Sequence, residues 1–255
     1  MMLLAAAAAG LYGGITSLVR HQVSSFLVCA VITLLVLGAV EVGLLLKLRG
    51  TLTTYAAHWH NQSTSQPGEL IYVALGDSAA QGIGASSIDA SYVSVLARGI
   101  SDRTHRPVRV INLSKSGDKL RDVIDDQLPL LARIHADIVT VDVGANDITG
   151  GTPQVQMIKD YGQLIKGLQR YPAVIADIPD FMWGTQQRST EAINTSIRQL
   201  CKQFGVRRAQ LHSLTKQHMW RWSEFAPDGF HPSNTGHRTW ASSFQPEVDQ
   251  IVAAY

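Results

Sequence analysis

LIYVALGDSAAQG, residues 70–82, joins a short apolar run directly to Gly76, Asp77 and Ser78. Four similar runs follow it along the chain, at residues 108–113, 138–143, 173–178 and 206–211. Each run is about six residues long and mostly aliphatic or β-branched, which is typical of strands that are buried in a parallel sheet.

Apolar side chains recur at helical spacing between and after these runs. Strands that alternate with helices of this length indicate a parallel sheet with helices on both faces. We therefore predict a three-layer α/β/α sandwich over residues 69–255, with a mostly parallel five-stranded sheet. The helical sets are Ile158, Tyr161, Ile165 and Leu168, then Ile193, Ile197, Leu200 and Phe204, and last Trp240, Phe244, Val248 and Ile251.

Small and polar residues follow the predicted strands. Ligand sites of open α/β sheets lie outside the carboxyl ends of the strands, so these residues are expected to meet at one edge of the sheet. In chain order they are Gly76-Asp77-Ser78, Ser116-Gly117, Gly144-Ala145-Asn146-Asp147 and, near the end of the chain, Asp228-Gly229-Phe230-His231-Pro232.

Ser78, His231 and Asp228 are the candidate catalytic residues at this edge. A serine hydroxyl is a weak nucleophile until a base takes its proton, and histidine is the usual base near neutral pH. Asp228 lies three residues before His231, so its carboxylate can hold one imidazole nitrogen and stabilise the imidazolium. The set is that of a serine hydrolase triad.

An acyl-transfer site also needs donors that point at the oxyanion of the tetrahedral intermediate. The candidates are the backbone N–H of Ser78, the backbone N–H of Gly117 and the side-chain amide of Asn146. Taken alone, Asn146 is equally consistent with a helix cap. Asp77 and Asp147 flank these residues and are expected to hold loop backbone.

The other histidines are weaker candidates for the catalytic base. His237 is expected in the final helix, whereas His105, His135, His212 and His218 have no partner at a useful spacing. Three aromatic residues before the His231 loop are candidates for an acyl pocket, and core packing explains them equally well; they are Trp220, Trp222 and Phe225.

Four sequence blocks together resemble the SGNH (GDSL-like) hydrolase family. They are LGDSAAQG (75–82), INLSKSGDKLRDV (111–123), VGANDI (143–148) and DGFHP (228–232). Ala79 stands where the family name has leucine, a variation that the family tolerates. The resemblance covers about residues 70–250, and it implies a flavodoxin-like sheet and hydrolysis of esters or thioesters without a metal or organic cofactor.

The resemblance also assigns roles to the residues that match its blocks. Ser78 is then the nucleophile, Asp228 and His231 complete the triad, and Gly117 and Asn146 join Ser78 as oxyanion donors. The function that follows is a serine esterase or lipase acting on small-molecule or lipid acyl esters. An acyltransferase or a carbohydrate O-deacetylase would use the same residues, and an inactive membrane-tethered binding module would have no need of all five.

The N-terminal fifth of the chain has a different composition. Residues 23–46 carry Glu41 as their one charge, and a helix of this length would cross a hydrocarbon core of roughly 30 Å. We predict a membrane segment at 1–49 with a single span at about 23–46, a linker at 50–68 and the hydrolase domain at 69–255. The charges beside the span favour neither side, since Arg20 precedes it while Lys47 and Arg49 follow it.

Composition excludes several other functions. The chain is 45% hydrophobic and 16% charged, and residues 51–255 hold as many basic as acidic side chains. A neutral body without basic clusters makes a nucleic-acid partner improbable, because such proteins concentrate Lys and Arg against phosphates. Cys29 and Cys201 are far apart, which excludes a disulfide framework and a cysteine-based zinc site.

Overall fold

The structure is a computed structural model that describes residues 2–61, 69–180, 185–218 and 221–255, with the backbone alone for 2–26, 61 and 185–189. The chain divides into two compact units, residues 1–47 and 48–255. The predicted segment 62–68 of the linker and the predicted pocket residue Trp220 lie outside the described residues.

The second unit contains five strands in its described part. They are β1 (Leu70–Gly76), β2 (Val108–Asn112), β3 (Ile138–Asp142), β4 (Ala173–Ala176) and β5 (Arg207–Ala209). All four pairings are parallel, and the strand order is β2-β1-β3-β4-β5. The sheet matches the predicted fold class, and each strand lies within or beside one of the five apolar runs.

Helices connect the strands and cover the sheet. The α-helices are α1 (Met2–Asn61), α2 (Ser78–Gln81), α3 (Tyr92–Thr104), α4 (Leu120–Asp122), α5 (Leu128–Leu131), α6 (Ala145–Thr149), α7 (Gln154–Leu168), α8 (Thr185–Phe204), α9 (Leu211–His218) and α10 (Asn234–Val252). Two 3₁₀ turns, Ile88–Ala90 and Trp222–Glu224, and a π turn, Val123–Gln127, complete the described elements.

The sheet separates two apolar cores. Successive side chains of a strand point to opposite faces, so Val73 and Leu75 of β1 enter one core while Tyr72 and Ala74 enter the other. Helices α7 and α8 cover the first core, and α3 and α10 cover the second. The predicted helical sets therefore supply the apolar faces, including Tyr161 and Ile165 in α7, Ile193 and Ile197 in α8, and Phe244 and Val248 in α10.

Helix α1 includes a segment long and apolar enough to cross a membrane, Leu27–His60, with a mean hydropathy of 2.5 in its most apolar window. Large aliphatic side chains along it are exposed, for example Leu34 at 69% and Leu35 at 68%. Contiguous exposed apolar surface on this scale is unusual in contact with water and typical of a surface that faces lipid or another protein.

The first part of the predicted linker is helical. Residues 50–61 continue α1, and Tyr55 and Trp59 are buried within the second unit. The Tyr55 hydroxyl donates to the Ala85 carbonyl over 2.9 Å, and Trp59 Nε1 donates to the Gln81 carbonyl over 2.9 Å. The compact body therefore includes a helical segment N-terminal to residue 69, where the polar composition predicted a linker.

Candidate active site

The site lies at the carboxyl end of the sheet, where the chain leaves β1 and β3 on its way to different helices. In the order β2-β1-β3 the connections after β1 and β3 diverge, and open α/β sheets bind ligands in the crevice this creates. Ser78 begins α2 two residues after β1, and Asn146 lies in α6 four residues after β3. Gly117 lies in the loop after β2.

Asp77 holds the turn that presents Ser78. Its Oδ1 accepts a hydrogen bond from the Ala79 N–H over 3.1 Å, which caps the first turn of α2. Asp147 has a similar role, because its Oδ2 accepts from the Leu120 N–H over 2.9 Å. Both aspartates hold loop backbone, as the sequence predicted.

Three side chains form a continuous hydrogen-bonded chain at this edge. His231 Nε2 lies 2.9 Å from Ser78 Oγ, and His231 Nδ1 lies 2.5 Å from Asp228 Oδ2. A proton on Nδ1 is then held by the carboxylate, and Nε2 is left as the acceptor for the serine hydroxyl. The geometry thus brings together the three residues that the sequence singled out as nucleophile, base and orienting acid.

The turn that carries His231 is built by Asp228 itself. Its Oδ1 accepts the backbone N–H groups of Phe230 and His231, each over 3.0 Å, while Oδ2 binds the imidazole. Burial alone would raise the pKa of Asp228, but the hydrogen bonds from His231 and from Phe230 N–H hold that pKa below its ordinary value. Asp228 is therefore ionised at neutral pH.

Gly84 allows the segment after α2 to lie against the His231 turn. Its φ is +94°, and a Cβ there would lie 2.2 Å from the Pro232 carbonyl oxygen and 3.1 Å from His231 Cβ. Any side chain at residue 84 would therefore displace the backbone that supports the imidazole.

Asn146 lies beside the turn of Ser78. Its Nδ2 donates to the Asp118 carbonyl over 3.0 Å and to Asp77 Oδ2 over 3.3 Å. Gly117 has a φ of +90° with open space around its α-carbon. Within the described part of the chain, the N–H groups of Ser78 and Gly117 have no hydrogen-bond acceptor.

Two further carboxyl groups are buried beneath the site. Burial and the nearby Asp142 raise the pKa of Asp77 well above its ordinary value. Burial raises the pKa of Asp142 to about 7, although the 3.0 Å hydrogen bond from Trp240 Nε1 opposes the rise. Close carboxyl groups of this kind hold protons at a pH where an exposed aspartate has lost them.

His237 has a structural position. It lies in α10, as predicted, and is fully buried, with Nε2 3.1 Å from the Ile83 carbonyl and Nδ1 3.3 Å from the Tyr92 N–H. Burial lowers the pKa of His237 to about 4, so the ring is neutral at physiological pH. It ties the loop after α2 to the start of α3.

Ser78 and His231 line a cavity of about 210 Å³. Phe225 is in its wall, whereas Trp222 is 76% exposed and is not among the described lining residues. Gly117 and Asn146 are also absent from that described lining. The lining residues comprise Asp77, Ser78, Ala79, Asp142, Ala145, Pro179, Asp180, Thr215, His218, Glu224, Phe225, Gly229, Phe230, His231, Pro232 and Trp240.

Sequence reasoning missed Asp142, Asp180 and Glu224 of this wall and set His218 aside because it has no partner at a useful spacing. Asp142 is the last residue of β3 and lies inside the apolar run 138–143, where a carboxylate is itself a signal that something other than the core surrounds it. Asp180 follows β4 by four residues and was open to the same reasoning as the other strand ends. His218 and Glu224 belong to a helix and a turn between β5 and α10, and their spacing carries no signal.

The model of the GDSL-like Lipase/Acylhydrolase family matches residues 74–239, well over half of the 255 residues. The match spans β1 to the middle of α10 and includes all five residues singled out for the triad and the oxyanion. No curated protein matches the sequence significantly.

Solved structures share the fold. A crystal structure of TesA has 19% sequence identity and a TM-score of 0.62, covering 71% of this chain and 99% of that chain. The psychrotrophic esterase EstA from Pseudoalteromonas sp. has 19% identity and a TM-score of 0.58, covering 72% and 98%. The acetylxylan esterase Axe2 from Geobacillus stearothermophilus has 18% identity and a TM-score of 0.55, covering 70% and 94%. At these identities the likeness shows the fold alone.

Proposed function

Because the chain belongs to the GDSL-like lipase/acylhydrolase family, we propose that it is a serine ester hydrolase that works through Ser78, His231 and Asp228. The observation that carries the proposal is the hydrogen-bonded chain from Ser78 Oγ to His231 Nε2 and from His231 Nδ1 to Asp228. An inactive binding module would not require this alignment of a hydroxyl, an imidazole and an ionised carboxylate.

Acylation begins when Ser78 Oγ attacks the ester carbonyl carbon and His231 Nε2 takes the hydroxyl proton. Asp228 stabilises the imidazolium that results, since its carboxylate is 2.5 Å from Nδ1. The tetrahedral intermediate collapses as the bond to the alcohol oxygen breaks, and His231 returns its proton to that oxygen. The products of this half-reaction are the free alcohol and an acyl ester on Ser78.

Deacylation repeats the same steps with water as the nucleophile. His231 Nε2 takes a proton from water, and the hydroxide oxygen adds to the acyl carbonyl. Collapse of this second intermediate breaks the bond to Ser78 Oγ, which recovers its proton from His231. The carboxylic acid leaves, and neither half-reaction requires a metal or an organic cofactor.

We assign oxyanion stabilisation to the N–H groups of Ser78 and Gly117 and to the Asn146 amide. Each such donor is worth roughly 3–4 kcal/mol of barrier in comparable sites. Support comes from the two N–H groups without acceptors and from the Asn146 amide beside the nucleophile turn. The 3.3 Å distance from Asn146 Nδ2 to Asp77 Oδ2 is long for a hydrogen bond, so an incoming oxyanion can replace this weak contact at small cost.

Asn146→Ala is expected to lower kcat by roughly a hundredfold or more with little change in KM, because the lost hydrogen bond strengthens in the transition state. Steady-state kinetics on nitrophenyl acetate would measure both constants, with the exposed Thr149→Ala in the same helix as the control. A raised KM with an unchanged kcat would make Asn146 a substrate-binding residue instead.

The cavity favours a short acyl group. Its volume of about 210 Å³ is below the roughly 300–1,000 Å³ of pockets that hold drug-sized ligands. The likeness to EstA and to an acetylxylan esterase is compatible with a short-chain or acetyl ester, although it does not choose between alcohols. We therefore propose an esterase with a preference for short acyl chains over a long-chain lipase.

The purified full-length chain in detergent should hydrolyse nitrophenyl acetate and butyrate with kcat/KM about tenfold or more above that for octanoate and laurate, because longer chains exceed the cavity. Release of nitrophenol followed by absorbance measures this directly. The highest kcat/KM on laurate would contradict the preference for short chains, and a chain that hydrolyses none of the four would contradict the ester hydrolase itself.

We also propose that residues 23–46 anchor the chain in a membrane. The support is the length and apolarity of the α1 segment and the exposure of its aliphatic side chains. The chemistry is then attributed to the second unit, since every residue of the proposed triad and oxyanion site lies beyond Leu70. Sedimentation with membranes after carbonate extraction is the measurement that checks the anchor.

A further inference from the structure

Helix α2, which begins with Ser78, is a single turn of four residues. The last carbonyls of a helix have no partner within the helix, and they require donors from elsewhere. Trp59 Nε1 donates to the last of them, the Gln81 carbonyl, over 2.9 Å. Asn112 Nδ2 donates to the one before it, the Ala80 carbonyl, over 2.8 Å. Side chains from α1 and β2 therefore hold the end of the turn that presents Ser78.

The segment 82–85 joins this turn to the turn that carries His231. Gly84 packs against the His231 turn so closely that a Cβ at residue 84 would lie 3.1 Å from His231 Cβ. One residue later, the Tyr55 hydroxyl donates to the Ala85 carbonyl over 2.9 Å. The same short segment thus follows the serine helix directly, contacts the histidine turn and is bonded to α1.

Both aromatic side chains of α1 are fixed within the second unit. Tyr55 and Trp59 are each only 7% exposed, and Trp59 belongs to the apolar core that α3 and α10 cover. Removal of either donor would leave a carbonyl without its hydrogen bond, and burial of an unpaired polar group is costly. The two hydrogen bonds therefore hold the backbone of residues 81–85 in one position.

Resting on the ester hydrolysis proposed above, we propose that Trp59 and Tyr55 are positioning residues, through which the C-terminal part of α1 sets the distance between Ser78 Oγ and His231 Nε2. That distance is 2.9 Å, as proton transfer from the hydroxyl requires. Displacement of reacting groups by about 1 Å can cost roughly a hundredfold in rate. Neither aromatic residue is in the described lining of the cavity, so both act through the backbone of residues 81–85.

Positioning and simple packing predict different results. Loss of packing lowers the fraction of folded molecules, whereas loss of positioning lowers the rate at which each folded molecule reacts. A fluorophosphonate probe measures both quantities, because it reacts with an activated serine. The final extent of labelling gives the fraction of molecules with a reactive serine, and the rate of labelling reports how well the serine and its base are aligned.

Trp59→Phe keeps an apolar ring and removes the N–H group that binds the Gln81 carbonyl. In the full-length chain in detergent, we expect the labelling rate and kcat on nitrophenyl acetate each to fall by about tenfold. KM should stay within about twofold of wild type, and labelling should still reach completion. Tyr55→Phe removes only a hydroxyl, and a smaller loss of about threefold is expected because Ala85 is farther along the chain from Ser78 than Gln81 is.

Tyr255→Phe is the matched control. The Tyr255 hydroxyl likewise donates to a backbone carbonyl, that of Asp137, over 3.2 Å. Asp137 directly precedes β3 and so lies at the amino edge of the sheet, opposite to the edge that holds Ser78 and His231. This variant loses the same kind of hydrogen bond and should match the wild type in labelling rate, labelling extent and kcat.

Three results would overturn the proposal and leave the ester hydrolase standing. A wild-type labelling rate and kcat in Trp59→Phe would show that the bond to Gln81 does not position the serine. A smaller final extent of labelling at an unchanged rate would make the aromatic residues structural only. A raised KM with an unchanged kcat would indicate an effect on substrate binding instead. Absence of ester hydrolysis by the wild type would contradict the ester hydrolase, and the labelling rate of Ser78 would still test the positioning.

Discussion

Ser78→Ala should abolish ester hydrolysis, with kcat lower by roughly 10⁴–10⁶, because the proposed mechanism forms the acyl intermediate on the Ser78 hydroxyl. His231 Nε2 is 2.9 Å from Ser78 Oγ and would have no hydroxyl to activate in the variant. A fluorophosphonate probe, which reacts with activated serines, should label the wild type and leave Ser78→Ala unlabelled. Intact-mass spectrometry and gel fluorescence measure the labelling.

Ser242→Ala is the matched control, since Ser242 is exposed on α10. It should retain wild-type labelling and activity. Labelling that persists in Ser78→Ala would place the nucleophile at another residue, and peptide mapping of the labelled protein would then identify it.

Asp228→Asn should lower kcat by roughly 10³–10⁴ with the fold intact. The asparagine Oδ1 can still accept the N–H groups of Phe230 and His231, so the turn persists. Its amide would donate to His231 Nδ1, which forces the proton onto Nε2 and removes the acceptor that Ser78 requires. Kinetics on nitrophenyl acetate and the thermal midpoint of unfolding measure the two effects separately.

Asp102→Asn changes an exposed aspartate on α3 and should match the wild type in both measurements. A loss of less than about tenfold in Asp228→Asn, at an unchanged thermal midpoint, would show that another group orients the imidazole. A large fall of the thermal midpoint would identify the carboxylate as part of the fold rather than of the chemistry.

The sheet and the proposed triad were predictable because their signals are local. The apolar run that ends at Gly76 predicts both a strand and the residue at which the strand stops. The three-residue spacing of Asp228 and His231 predicts that the carboxylate can reach the imidazole. Their meeting with Ser78 follows from parallel strands that share one carboxyl edge.

Asp180 and His218 were not predictable in the same way. Asp180 differs from any other loop aspartate in its burial without donors, which is a property of the surrounding side chains and not of its neighbours in sequence. His218 acquires its position from Glu224 and Thr239, which lie 6 and 21 residues away along the chain. Such contacts depend on how α9 and α10 pack, and the periodicity of the sequence does not predict them.

Tyr55 and Trp59 are also residues whose burial the sequence did not predict. They determine at which residue a truncated, soluble form of the enzyme should begin. The family match begins at residue 74 and the apolar runs begin at 70, so either criterion would discard both aromatic residues. Their hydrogen bonds end on the carbonyls of Gln81 and Ala85, in the segment that directly follows the proposed nucleophile.

A protein that begins at Leu48, the first residue of the second compact unit, keeps this contact and omits most of the apolar segment. One that begins at residue 69 would expose the apolar surface that Tyr55 and Trp59 cover and would release the backbone beside Ser78. Poor solubility or weak activity of the shorter protein would then result from the loss of Tyr55 and Trp59, and it would not test the role of Ser78.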